Sequence, residues 1–224
     1  MLVDKVGLWC QIDGSITRGA AALFLDRDGV IVADTRYLGR AEQVRVLDGA
    51  AAAVGRCNAL QIPVVLVTNQ SGIARGYYDW DGFRAVQAAM TDALSAAGAH
   101  LDAVLACAYH GDGRGALRAP DHPWRKPNPG MILEAGARMG LDLSRSWIVG
   151  DAPSDLEAGR AAGLAGGMLL GVREQDPGET QRLGRSDFVV ATAPDLAAAV
   201  AALIAQGRLT PGTAHTAAPS SPTS

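Results

Sequence analysis

Three short apolar runs in this chain each break off into carboxylates, hydroxyls or amides, and that repeated ending constrains the fold more than any other feature. They are AALFLDRD (residues 21–28), PVVLVTNQ (63–70) and SWIVGDAPSD (146–155). An apolar run of four to eight residues with a polar stop reads as a strand buried on both faces. LDAVLACAY (101–109) is a fourth such run, and 166–170 and 187–190 are shorter candidates. Helical stretches lie between them. Residues 48–61 have Asp48 as a possible N-cap, and 79–98 space Phe83, Val86, Met90, Leu94 and Ala97 along one face before a glycine stop. Residues 129–139 follow Pro129, 152–163 carry Pro153 in the first turn and Gly163 at the end, and 194–207 are Ala-rich. This alternation predicts an α/β fold, a doubly wound, Rossmann-like parallel sheet with helices on both faces. In such a sheet ligands bind beyond the carboxyl ends of the strands, where the three polar endings gather.

A length of 224 residues suits one domain, expected over residues 21–208. Residues 1–20 are aperiodic and are set apart as an N-terminal segment, and 209–224, rich in Thr, Ser, Ala and Pro, are expected to be a disordered tail. The net charge of −3, without a basic stripe, argues against a nucleic-acid partner and for a small-molecule one. No run approaches the roughly 18 apolar residues of a membrane span, and the N-terminus lacks the basic-then-apolar layout of a signal peptide. Cys10, Cys57 and Cys107 are odd in number and far apart, which favours a reducing compartment, so a cytoplasmic monomer is expected.

The strand ends supply Asp26 and Asp28, Thr68 and Asn69, and Asp151 and Asp155. Carboxylates brought so close raise one another's pKa unless a cation sits among them, and Mg2+ is the hard divalent ion suited to them. Each motif alone has an ordinary structural use: Asp-x-Asp as a turn or cap, TNQSG as a polar turn, GDAPSD as a helix start. Their order and spacing in combination point to chemistry. Lys126 joins them, for Lys5 and Lys126 are the only lysines among 20 basic residues, and a chain that uses arginine elsewhere has a use for a lysine here.

On these residues the sequence resembles the haloacid dehalogenase superfamily of phosphohydrolases. The strings FLDRDGV, VTNQSGIARG, RKPNPGM and VGD are similar to the D-glycero-D-manno-heptose 1,7-bisphosphate phosphatase family and the related histidinol-phosphatase domain, over roughly residues 20–172. The resemblance implies a Mg2+-dependent phosphomonoester hydrolase of sugar phosphates in which Asp26 is the nucleophile and Asp28 the general acid and base. It assigns Mg2+ to the Asp26 carboxylate, the Asp28 carbonyl and the Asp151 carboxylate, with Asp155 behind them, and the transferred phosphoryl group to Thr68, Asn69 and Lys126. The spacing between motifs leaves no room for a large cap domain, so loops would select the substrate. Asp34, Tyr37, Ser71 and Arg125 are the expected contacts, Arg125 offering a planar fork to a second phosphate or sugar hydroxyls. The 7-phosphate of a heptose 1,7-bisphosphate is the expected substrate. The alternatives are histidinol phosphate, a polynucleotide 3′-phosphate, and a catalytically inactive sugar-phosphate-binding protein.

Many members of the resembled family bind zinc in the loop before the Arg-Lys-Pro string, through Cys-x-His and Cys-x-Cys. Here Cys107 holds the first position, but Tyr109 replaces the histidine and His122 and Trp124 replace the paired cysteines. Cys107, His110 and His122, with Asp112 or Asp121, remain as potential ligands. A metal-free loop braced by Pro123 and Trp124 is the expectation, without structural zinc.

Overall fold

The computed structural model describes residues 1–13, 17–171, 183–184 and 186–210. Its centre is a seven-stranded sheet. In chain order the strands are β1 (Leu8–Ile12), β2 (Leu23–Leu25), β3 (Val64–Asn69), β4 (Ala103–Cys107), β5 (Trp147–Gly150), β6 (Gly166–Leu170) and β7 (Val189–Ala193). In space they run β1-β4-β3-β2-β5-β6-β7, and every pairing is parallel except β1 with β4. The helices are α1 (Ala50–Ala59), α2 (Ser71–Arg75), α3 (Trp80–Ala96), α4 (Gly130–Met139), α5 (Pro153–Ala161) and α6 (Leu196–Ala205).

Successive strand residues face opposite sides of the sheet, so each face builds its own core. Leu23, Leu25, Leu66 and Val149 pack with α1, α3 and α6 on one face. Phe24, Val65, Leu105 and Ile148 pack with α4 and α5 on the other. Strands buried on both faces have no polar alternation, which is why their sequence reads as unbroken apolar runs.

The structure differs from the sequence reading in three places. The N-terminal segment is part of the sheet: β1 lies antiparallel along β4, Leu8 opposite Cys107, so the fold does not divide at residue 20. Residues 1–3 fold back on it, Val3 N–H donating to the Leu8 carbonyl at 2.8 Å and Cys10 N–H to the Met1 carbonyl at 3.0 Å. Ser71, expected on a substrate-selecting loop, begins the one-turn helix α2. The N-cap of α1 is Gly49 in the left-handed region (φ 76°), not Asp48, and no side chain caps it. Asp79, by contrast, caps α3 by accepting from Gly82 N–H at 2.9 Å. No cap domain interrupts the span from β2 to β3, and the tail beyond residue 210 lies outside the described residues.

Candidate active site

The register decides where the acids fall. Leu25 of β2 pairs with Leu66 of β3 and Val149 of β5. The chain leaves β2 at Asp26, whose N–H still donates to the Val149 carbonyl at 3.1 Å, and leaves β5 at Asp151. Asp26 and Asp151 therefore sit side by side at the carboxyl edge of the sheet. Gly29 turns the chain with φ 76°, and a Cβ there would stand 2.2 Å from Asp151 Oδ2, so glycine meets both a backbone and a space requirement.

Asp155 completes the group from the first turn of α5. It is 1% exposed, and its carboxylate accepts from Ala152 N–H at 3.1 Å, which fixes it at the positive end of the helix. Among the described residues, Asp26, Asp151 and Asp155 form the cluster of potential metal ligands, each offering an oxygen within 4.8 Å of the others. Burial, then Asp26 and Asp155, push the Asp151 pKa up to about 7, with Lys126 opposing them. Three hard oxygen donors that repel one another are a donor set suited to a divalent cation.

Lys126 lies beneath the acids, 4% exposed. Its Nζ is 2.5 Å from Asp155 Oδ1, 2.8 Å from Asp26 Oδ1 and 2.8 Å from the Val67 carbonyl. Burial pulls its pKa down, yet the neighbouring Asp155 and Asp26 carboxylates outweigh that and hold the ammonium charged. Its ammonium thus donates to the Val67 carbonyl and stands as a counter-charge to two carboxylates. Asn69, expected at the phosphate, is engaged with the lysine's backbone. Its side chain donates to the Lys126 carbonyl at 3.0 Å and accepts from Lys126 N–H at 3.1 Å, a two-point clasp that fixes the lysine's backbone to the end of β3. The Thr68 hydroxyl accepts from Gln70 Nε2 at 2.9 Å and keeps its own proton for another acceptor.

The expected substrate contacts come from separate segments of the chain. Asp34 is exposed and accepts from Arg36 N–H at 2.6 Å, and Tyr37 is exposed and packs on Tyr77 with ring centroids 4.4 Å apart. Ser71 begins α2, and Arg125 donates to the Tyr109 carbonyl at 3.2 Å. Sequence reasoning gave no role to Arg27 or Tyr78. Arg27 is fully buried against Asp28, and the Tyr78 hydroxyl donates to Gln70 Oε1 at 2.7 Å, extending the chain of hydrogen bonds that ends on Thr68. The interrupted acidic string DRD was the one available signal for Arg27.

Beyond β4 the loop does not assemble a closed metal site. Cys107 Sγ and His122 Nδ1 are 3.9 Å apart, but His122 Nδ1 also accepts from Trp124 N–H at 3.1 Å. His110 faces elsewhere, with Nδ1 accepting from Asp112 N–H at 2.9 Å and Nε2 lying 3.3 Å from Arg75. Tyr109, standing in the expected histidine position, stacks on His122 with centroids 4.1 Å apart and donates its hydroxyl to Asp4 Oδ2 at 2.6 Å. Asp4 is held in turn by the N–H groups of Val6, Gly7 and Leu8.

Residues 123–199 match the HAD-hydrolase-like family model. Over 170 residues, 75% of this chain and 78% of the relative, the sequence is 49% identical to a protein of Mesorhizobium japonicum named D-glycero-beta-D-manno-heptose-1,7-bisphosphate 7-phosphatase. The chain belongs to the haloacid dehalogenase-like hydrolase family. A Rhodopseudomonas palustris protein of the same name is 45% identical over 65% of this chain and 81% of its own. Among solved hydrolases of this family, a HAD-like phosphatase from Mesorhizobium loti superposes with a TM-score of 0.84 at 41% identity, covering 94% of this chain and 98% of that one. The D,D-heptose 1,7-bisphosphate phosphatase of B. bronchiseptica, solved with magnesium and phosphate, gives 0.69 at 32% identity over 83% and 99%. Hydrolases of this family thus share the sheet on which the acid cluster is built.

Proposed function

We propose that this chain is a Mg2+-dependent phosphatase that removes the 7-phosphate of a D-glycero-D-manno-heptose 1,7-bisphosphate. The observation that carries this reading is the convergence of Asp26, Asp151, Asp155 and Lys126 at one sheet edge, in a chain whose relatives bear that name. Asp26, Asp151 and the Asp28 carbonyl would hold the ion, with Asp155 behind them. When bound, Mg2+ offsets the charge between the attacking carboxylate and the phosphate.

The residues divide the work by position. Asp26 attacks phosphorus in line, the bond to the sugar oxygen breaks, and an aspartyl-phosphate remains. Asp28 gives its proton to the departing alkoxide, then takes one from the water that hydrolyses the aspartyl-phosphate. The Thr68 hydroxyl and the Lys126 charge stabilise the phosphoryl oxygens, and Asn69 contributes by holding Lys126 in place. Burial of Asp28 raises its pKa, opposed by Arg27 and reinforced by Asp26, a direction that favours the proton needed for its first task. Asp34, Tyr37, Ser71 and Arg125 would contact the substrate, Arg125 offering its fork to the second phosphate or to sugar hydroxyls. A cytoplasmic monomer acting on a small sugar phosphate accords with three buried free cysteines, and no helix among the described residues is long and apolar enough to cross a membrane.

Phosphate release from heptose bisphosphate, histidinol phosphate and a 3′-phosphorylated oligonucleotide tests this reading. The bisphosphate should be turned over far faster than the other two, and Asp26→Asn should abolish release in a folded protein. Preference for histidinol phosphate or the oligonucleotide would overturn the substrate, and full activity of Asp26→Asn would overturn the mechanism.

A further inference from the structure

We infer that Arg27 is a positioning residue, a buried guanidinium fork that sets the plane and reach of the carboxyl group that passes its proton to the leaving alkoxide. The inference rests on the assignment of Asp28 as acid and base made above. Arg27 stands between the two acids in sequence, and its side chain has no solvent exposure. Its Nε donates to Asp28 Oδ1 at 3.1 Å and its Nη2 to Asp28 Oδ2 at 3.0 Å, a two-point grip from the adjacent residue. The guanidinium carbon lies 5.8 Å from the centroid of the Phe83 ring, and Nη1 is buried without a hydrogen bond.

A buried guanidinium with one counter-charge is a poor device for stability. Desolvating the guanidinium is costly, its partner Asp28 is only partly buried, and one donor is left unsatisfied as well. Geometry gives the arrangement a use. A carboxyl group on a short side chain rotates freely about its last bond unless something fixes its plane. The fork takes one lone pair from each oxygen and leaves the others free for substrate. Phe83, from α3, closes over the guanidinium and keeps the fork from turning away. A lysine would hold Asp28 at one point and leave the plane free.

The chemistry that depends on this plane is narrow. As the phosphorus–oxygen bond breaks, its electron pair stays on the leaving oxygen, and the Asp28 proton moves onto that oxygen. A sugar alkoxide needs that proton to depart, whereas p-nitrophenolate leaves without it. The value of kcat/KM reports steps up to departure of the leaving group and excludes later hydrolysis of the aspartyl-phosphate.

The test compares kcat/KM for heptose bisphosphate and for p-nitrophenyl phosphate in wild type, Arg27→Met and Arg27→Lys. General acid catalysis contributes about 10²-fold or more, so Arg27→Met should lose roughly that factor on the sugar phosphate and at least tenfold less on p-nitrophenyl phosphate. Arg27→Lys, which keeps a cation opposite Asp28 and so protects the fold if the methionine variant fails, should show the same disparity to a smaller degree. Equal losses on both substrates, or no loss on either, would overturn the inference. Wild type inactive on heptose bisphosphate but active on another alkyl phosphate would refute the substrate reading alone, and the comparison then runs with that alkyl phosphate. Wild type without phosphatase activity on any ester would overturn both.

Discussion

Lys126 and Asp155 form an ion pair at 2.5 Å in which both partners are buried, at the carboxylate cluster of the sheet edge. The pair joins the loop after β4 to the start of α5, and its charge balances a cluster that otherwise holds three negative groups.

Lys126→Met should therefore affect more than phosphate binding. Removing one partner leaves Asp155 as an uncompensated buried charge, a loss of about 3–5 kcal/mol for a buried pair. Denaturant unfolding without Mg2+ should show that loss near pH 7.5 and a smaller one near pH 5, where the crowded acids take up protons. An unfolding midpoint equal to wild type at both values would contradict the balance described.

Asp151 supplies a second pH effect. Partial burial, then the Asp26 and Asp155 carboxylates, push its folded-state pKa up to about 7 from the ordinary 3.8. Between about pH 4 and 7 the metal-free folded chain thus binds more protons at this group than the unfolded chain, so stability falls as pH rises through that window. Mg2+ should reverse the trend, since it competes with the proton and binds better as Asp151 ionises. Thermal unfolding across pH 4.5–8, with and without Mg2+, checks the sign; a metal-free stability that rises through the window from this group would refute it.

Gly29→Ala places a Cβ against the Asp151 carboxylate at a residue with positive φ. The variant should need at least tenfold more Mg2+ for half-maximal activity, because a misplacement near 1 Å at a catalytic group costs about 10²-fold in favourable cases. A Mg2+ titration of activity reads this directly, and an unchanged midpoint would show that Asp151 moves without penalty.

The loop containing Cys107, His110 and His122 should hold no stoichiometric zinc. Elemental analysis of protein purified without chelator should find well under one zinc per chain, and a zinc-selective chelator should leave the melting temperature unchanged. About one zinc per chain would mean that the Tyr109–His122 stack gives way to a metal.

Much of this site was legible in sequence because strand ends are marked by chemistry: an apolar run that stops at Asp26, Asn69 or Asp151 announces both its burial and its direction. Helix faces such as Phe83, Val86, Met90 and Leu94 were equally plain, and all four are buried. What escaped was whatever depends on side-chain direction or on a distant partner. Asn69 sits where expected, but its carboxamide turns to the Lys126 backbone, a contact across 57 residues. β1 escaped because an edge strand has one neighbour, so LWCQI mixes buried and half-exposed residues and carries no period. Five residues are too few for helical periodicity to reveal α2. Arg27 lies within a recognised motif, yet composition alone would place an arginine at the surface.

The hydrogen bond from Tyr109 to Asp4 spans 105 positions of the chain. Contacts of such long sequence separation pay loop-closure entropy before they are rewarded, so they form late relative to local structure. The wall that bears Arg125 is thereby tied to the far edge of the sheet: Arg125 donates to the Tyr109 carbonyl, Tyr109 to Asp4, and Asp4 accepts from the Leu8 N–H at the start of β1. A change in the first residues of the chain can therefore reach Arg125 without touching a carboxylate of the cluster.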